Sequence, residues 1–164
     1  MRNLLCLLAL LVTLQLSAQE WTVPKNLTLE TEADYRSHEK SVIDAVEYLY
    51  SLPPNQEATK RQATNAYLIQ WLTGTPTVSL ALYAELSDYG DCADCLVLYM
   101  GSYAQTAILK PDTPDASNHY TALKRVLNYY EANREVIGKQ KPLEKLLKLQ
   151  AKGKLKAYVE KALG

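Results

Sequence analysis

The sequence predicts an all-α fold: a compact bundle of six to seven short helices over residues 31–164, preceded by an extended arm over residues 20–30. Three observations carry that expectation. Apolar residues recur at helical spacing in several segments. Proline and glycine punctuate those segments at short intervals. Strand-like alternation is confined to the arm and to one ambiguous segment.

The first residues, "MRNLLCLLALLVTLQLSAQEW", place Arg2 before an apolar run from Leu4 to Leu16 broken by Thr13 and Gln15. Ser17 and Ala18 then offer small residues for cleavage. This is the layout of a secretory signal peptide over residues 1–19, and the run is short for a bilayer span; the rival reading is an uncleaved anchor. Cys6 lies near the start of the run, whereas a lipoprotein needs its cysteine at the end, so Cys6 is expected to leave with the peptide. The chain is therefore read as exported, either periplasmic or secreted. Roughly 145 residues remain, enough for one core. No later apolar stretch approaches spanning length, so no transmembrane segment is expected after signal removal.

In "EWTVPKNLTLE", Trp21, Val23, Leu27 and Leu29 nearly alternate around Pro24, which reads as an extended arm. Asn26-Leu27-Thr28 is a glycosylation sequon that has meaning only in a eukaryotic host. Thr31 with Asp34 forms a capping box opening a helix whose face carries Tyr35, Val42, Val46 and Leu49, and Pro53-Pro54 end it. The spacing predicts a second helix over residues 57–73 with Ala63, Tyr67, Leu68, Trp71 and Leu72 inward, capped by Gly74 and stopped by Pro76. In "TVSLALYAEL", Val78, Leu80 and Leu82 alternate, while Val78, Leu82 and Leu86 fit a helix; a helix is favoured because a lone strand lacks a partner. Residues 92–109 form the most regular segment, with Cys92, Cys95, Leu96, Tyr99, Met100, Tyr103 and Ala107 on one stripe. Thr113 is read as N-cap and Pro114 as the first residue of the next helix, which buries Tyr120, Leu123, Leu127 and Tyr130. The remaining stretch gives two amphipathic helices, or one kinked at Gly153. Leu143, Leu146, Leu147, Leu155, Tyr158, Val159 and Leu163 face in, and lysines face out. No repeat is evident, and the tetratricopeptide pattern fails after Trp71.

Three stretches, "EWTVPKNLTLETEADY", "NAYLIQWLTGTPTVSL" and "GKLKAYVEKALG", resemble a set of small exported proteins of Bacteroidetes-type bacteria with no known activity. The likeness rests on turn and core residues. It implies an envelope or secreted setting and a helical fold, and it transfers no site residue. The set also holds members without the cysteine pair, which argues against an essential role for that pair.

Charge is balanced, with 18 Lys and Arg against 18 Asp and Glu, but it is unevenly placed. From Arg134 onward, nine basic residues face only Glu135, Glu144 and Glu160. Lys145, Lys148, Lys152, Lys154 and Lys156 form a candidate basic interaction surface for anionic lipid or an acidic partner, or a plain solvated face. Nucleic acid is not an expected partner, because Arg clusters interleaved with exposed aromatics are lacking. Twelve Tyr, two Trp and no Phe suit a small domain with much boundary surface, where a ring is buried and its hydroxyl stays wet.

Cys92 and Cys95 can be a local disulfide, a redox centre or half of a metal site. An oxidising compartment favours the disulfide. Redox motifs sit at a helix start after a strand, with the thiol pKa depressed; here Asp88, Asp91 and Asp94 surround the pair, and carboxylates disfavour a thiolate. Haem attachment would need His after the second cysteine, where Leu96 stands. His38 and His119 are single and distant, so they read as boundary histidines and no metal site is expected. The aspartates lack the alternate spacing of a calcium loop and read as helix-capping acids. Phosphate-loop, Gly-x-Ser-x-Gly and His-Glu-x-x-His motifs are missing. Glu85 with Asp88, or Asp44 with Glu47, are unspecific carboxylate pairs for a hydrolase. Trp21, Trp71, Tyr99, Tyr103, Tyr129 and Tyr130 read as core rather than as a sugar platform. The expectation is a non-catalytic exported helical module, without cofactor, binding a protein or cell-envelope component; the alternative is a thiol-disulfide redox protein using Cys92 and Cys95.

Overall fold

In a computed structural model, residues 21–25 and 27–164 are described; residues 1–19, where a signal peptide is expected, with Cys6, and Asn26 of the sequon lie outside the described residues. Among the described residues the fold is all-α, with nine helices and no strand. They are α1 Glu32–Ser37, α2 Glu39–Ser51, α3 Ala58–Gly74, α4 Ala84–Ser87, α5 Cys95–Leu109, α6 Asp115–Ala132, α7 Arg134–Ile137, α8 Lys141–Ala151 and α9 Leu155–Ala162. The count exceeds six to seven because one expected helix is split and two elements are single turns.

The arm runs without regular structure to Thr31 and packs Trp21, Val23, Leu27 and Leu29 against the core. The Trp21 indole donates to Thr64 Oγ1 at 2.9 Å, which fastens the arm to α3. Thr31 and Asp34 form the expected capping box. The helix it opens breaks at His38. The Trp71 indole donates to the Tyr35 carbonyl at 3.0 Å, and the His38 N–H takes the same carbonyl at 3.1 Å, so the regular ladder is interrupted between α1 and α2.

Gly74 ends α3, but not as a left-handed cap: Thr75 beyond it is extended, and a Cβ at Gly74 would lie 1.9 Å from the Tyr35 hydroxyl oxygen. The glycine is there for space. On α3, Tyr67, Leu68 and Trp71 are buried as expected and Leu72 is half-buried, whereas Ala63 is exposed. Arg61 and Thr64 occupy the inward stripe instead.

Only Ala84–Ser87 of the ambiguous segment is helical. Residues 75–83 form neither helix nor strand, bending at Pro76 and Thr77, and side chains satisfy part of their backbone. Thr75 Oγ1 accepts from the Thr77 N–H at 3.3 Å, and the Tyr103 hydroxyl donates to the Ser79 carbonyl at 3.0 Å. Helix α5 begins at Cys95, three residues later than expected, and Asp115 opens α6 with Pro114 as its cap in place of Thr113. Pro114 is extended (ψ 142°) and its carbonyl accepts the first helical N–H groups. Gly153, at φ +67°, separates α8 from α9.

Helix α5 is the centre of the bundle, packed on α6, α2 and α3. Burial extends nearly all round it, to Val97, Leu98, Gly101 and Ala104 as well as to Cys95, Tyr99 and Tyr103. The narrower stripe read from the sequence underestimates this because α5 has neighbours on several sides. Gly101 lets α2 come close, since a Cβ there would meet Val46 Cγ2 at 2.8 Å. The tyrosines meet the boundary expectation in part, since Tyr35, Tyr48, Tyr50, Tyr83, Tyr120 and Tyr158 are half-buried while the others lie deeper. Tyr99 and Tyr130 have no exposed surface, and Tyr67, Tyr89, Tyr103 and Tyr129 are also buried. Their hydroxyls face protein atoms. Tyr50 donates to the Leu98 carbonyl at 3.1 Å, Tyr67 to the His38 carbonyl at 3.4 Å and Tyr129 to the Leu52 carbonyl at 3.0 Å.

Candidate functional site

Three places bring polar or reactive side chains together. The first surrounds the cysteines. Cys92 and Cys95 are joined in a disulfide with their Cα atoms 5.4 Å apart. Cys95 has no exposed surface, and Cys92 is 7% exposed at the edge of a shallow cleft with Val136 and Ile137. The aspartates do not cap helices, contrary to expectation. Asp88 accepts from the Gly90 N–H at 3.2 Å within its own turn. Asp94 occupies the cap position of α5 without a capping bond, because its carboxylate is turned onto Arg61.

Arg61 is the residue that sequence reasoning missed. It is 3% exposed, its Nε–H donates to Asp94 Oδ2 at 2.6 Å, and both terminal nitrogens donate to the Leu49 carbonyl at 3.0 Å. One of them also donates to the Tyr129 hydroxyl at 2.5 Å, and Asn65 Nδ2 donates to Asp94 Oδ1 at 2.9 Å. The planar guanidinium thus closes the C-terminal turn of α2, whose last carbonyls have no helical partner. Burial raises the Tyr129 hydroxyl pKa, and the adjacent Arg61 charge partly offsets that rise. The one clue in the sequence was an arginine at an inward position of the α3 repeat.

The second place is His119, which is fully buried rather than a boundary residue. Its Nδ1 meets the Tyr99 hydroxyl at 2.5 Å, and the rings of Tyr83 and Tyr103 lie 5.4 and 4.7 Å away. Its Nε2 is 3.4 Å from Asp115 Oδ2 but makes no aligned hydrogen bond, and the other Asp115 oxygen shares the single Tyr103 hydroxyl proton with the Ser79 carbonyl. Burial lowers the His119 pKa, partly offset by Asp115, so the neutral ring is favoured. Asp115, His119 and Tyr99 have the layout of a carboxylate–imidazole–hydroxyl relay. With Tyr99 and His119 wholly enclosed, that layout has no route to a substrate and works as a packing cluster. His38 lies elsewhere, beside Tyr67. Among the described residues no three His, Cys, Asp or Glu converge as a metal site.

The third place is the surface of α8 and α9. Lys145, Lys148, Lys152, Lys154 and Lys156 are all exposed. Of these five, only Lys156 has an ion-pair partner among the described residues, Glu160 at 3.8 Å. Lys145 also borders a cleft of about 530 Å³ that Lys141, Glu85, Asp88, Leu146 and Tyr158 help to line. Of the two carboxylate pairs, Glu85 and Asp88 therefore share one cleft. Asp44 and Glu47 are held by Lys40 at 2.6 Å and by Arg125 at 3.2 Å. Trp71, Tyr99 and Tyr130 are inside the core and form no sugar platform. No helix among the described residues is long and apolar enough to cross a membrane. Comparison with family models, with curated proteins and with solved structures finds no match.

Proposed function

We propose that this chain is a non-catalytic exported helical module that binds an acidic protein or anionic cell-envelope component through the lysine surface of α8 and α9. The observation that carries the reading is that four of its five lysines, Lys145, Lys148, Lys152 and Lys154, are exposed without an ion-pair partner among the described residues. Unpaired ammonium groups on one pair of helices attract an anionic surface by about 1 kcal/mol each, an attraction that salt screens. Export is supported by the signal-peptide layout of residues 1–19 and by the Cys92–Cys95 disulfide.

The test compares the protein with a variant carrying Gln at all five lysine positions. Binding is measured to phosphatidylglycerol vesicles, to phosphatidylcholine vesicles and to immobilised polyglutamate, at low and high salt. The expected result is salt-sensitive binding to at least one anionic surface, none to phosphatidylcholine, and loss of binding in the variant. Equal behaviour of the two proteins on both anionic surfaces overturns the reading.

A thiol-disulfide redox role has one feature in its favour, the placement of Cys92 at a cleft edge. Against it stand the full burial of Cys95 and the carboxylate of Asp94 between the two cysteines. Insulin reduction by the dithiol form tests it directly.

A further inference from the structure

We propose that the cleft between α4 and the α8–α9 pair binds a dipolar small ligand carrying both an ammonium and a carboxylate group, the class of free amino acids and short unblocked peptides. This inference goes beyond the acidic-partner reading and shares only Lys145 with it.

The cleft has walls of opposite sign. Glu85 and Asp88 come from α4 and the residue that caps it, one helical turn apart in sequence. Lys141 and Lys145 lie at i and i+4 of α8, on one face of that helix. None of these four forms an ion pair among the described residues, although all four line the same 530 Å³ space. Opposite charges that share a cleft without closing onto each other leave a local dipole to be satisfied. The lining sums to zero charge, so a simple anion meets two carboxylates and a simple cation meets two ammonium groups. A ligand with both charges meets neither penalty. The floor between the walls is apolar, from Leu146 and the ring of Tyr158, which suits a hydrophobic side chain.

Three hydrogen bonds fix the walls before any ligand arrives. The Tyr158 hydroxyl donates to the Glu85 carbonyl at 3.0 Å and ties α9 to α4. At the other end, Gln140, immediately before α8, accepts from the Asp91 N–H at 2.9 Å through Oε1. Its own N–H donates to the Tyr130 hydroxyl at 2.9 Å. Gly90 beside it has φ +62°, which favours glycine, and a Cβ there would lie 2.5 Å from the same Gln140 oxygen and push that side chain aside. Burial, followed by the charges of Glu85 and Asp88, raises the Tyr158 pKa, which places both acids within electrostatic reach of the floor. A site held open in this way loses little entropy on binding.

The experiment titrates ¹⁵N-labelled protein with alanyl-leucine, N-acetyl-alanyl-leucine and alanyl-leucine amide, followed by amide chemical shifts. The expected result is saturable shifts in residues 84–88 and 141–146 with the free dipeptide, and affinity about tenfold weaker for each blocked form. The paired change Glu85→Gln with Asp88→Asn should erase discrimination against the N-acetyl form and keep discrimination against the amide. Lys141→Gln with Lys145→Gln should do the reverse. A variant with Gln at Lys148, Lys152, Lys154 and Lys156 should bind the dipeptide unchanged, which separates this site from the lysine surface. All of these side chains are exposed, and unchanged circular dichroism shows that the variants fold. No shift at about 10 mM dipeptide, or equal binding of free and blocked forms, overturns the proposal.

Discussion

Arg61→Met isolates the contribution of the buried guanidinium. Methionine keeps an unbranched stem of similar bulk in the same space but brings no donor. Three losses follow from the geometry. The charge-assisted bond to Asp94 at 2.6 Å disappears, about 1.5–3 kcal/mol. The Leu49 carbonyl loses both of its Arg61 donors and stays buried, about 1–3 kcal/mol. Asp94 keeps its bond from Asn65, yet only 18% of its side chain reaches water, so its charge is poorly compensated. Partial rehydration reduces the sum, and breaking one side of a buried ion pair typically costs about 3–5 kcal/mol. With a urea slope of about 2 kcal/mol/M, the unfolding midpoint should fall by about 2 M with little change in slope. Arg61→Lys should fall between, because one ammonium cannot reach both Asp94 and the end of α2. A midpoint shift of Arg61→Met below about 0.5 M would refute the account, since the network would then contribute less than about 1 kcal/mol.

Burial of neutral His119 gives an acid limb to stability. Its folded pKa lies below the ordinary 6.5, so the contribution is complete above that value and is lost as pH falls through it. By pH 5.5 the loss reaches at most about 1.4 kcal/mol; Asp115 reduces it, and burial raises the pKa of the neighbouring Tyr99 and Tyr103, so neither adds charge beside the ring there. His119→Gln should flatten the slope between pH 7.5 and 5.5 in urea titrations, and an unchanged slope would assign it to other groups. Replacing Cys92 and Cys95 by Ser, or reducing the pair, should lower stability by about 2 kcal/mol. Equal midpoints with and without dithiothreitol would show that the short loop adds nothing. Gly101→Ala sets over-packing against Val46 of about 1–3 kcal/mol against a helix-propensity gain of about 1 kcal/mol. The Gly101→Ala, Val46→Ala cycle should show favourable coupling above about 0.5 kcal/mol, and strict additivity would deny the contact.

Features that depend on neighbours in sequence were legible. The capping box at Thr31 and Asp34, the turns after Pro53 and at Gly153, and the alternation of leucines and lysines in α8 all follow from residues within a turn or two. The lysine surface was visible for that reason. Arg61 was not, because its burial is offset by Asp94 and Tyr129, which are 33 and 68 residues away. His119 was misread on the same ground: Tyr99 and Tyr83 enclose it from other parts of the chain. The segment before α4 failed differently. The favoured helix holds only at Ala84–Ser87, and the stretch with Val78 and Leu80 is neither helix nor strand, with threonine and tyrosine hydroxyls satisfying part of its backbone.

The tyrosine hydroxyls that reach main-chain carbonyls have a consequence for conformational uniqueness. Leucine contacts are forgiving: a helix can slip by a fraction of a turn and still be pressed against its neighbours. A phenol that must find the carbonyl of Leu52, Ser79, Leu98 or Glu85 tolerates no such slip, because the bond is short and directional. Each tyrosine therefore acts as an alignment pin between segments distant in the chain. Replacing several of them together by phenylalanine keeps volume and greasiness, and should yield a protein that is still collapsed and helical but samples several packings.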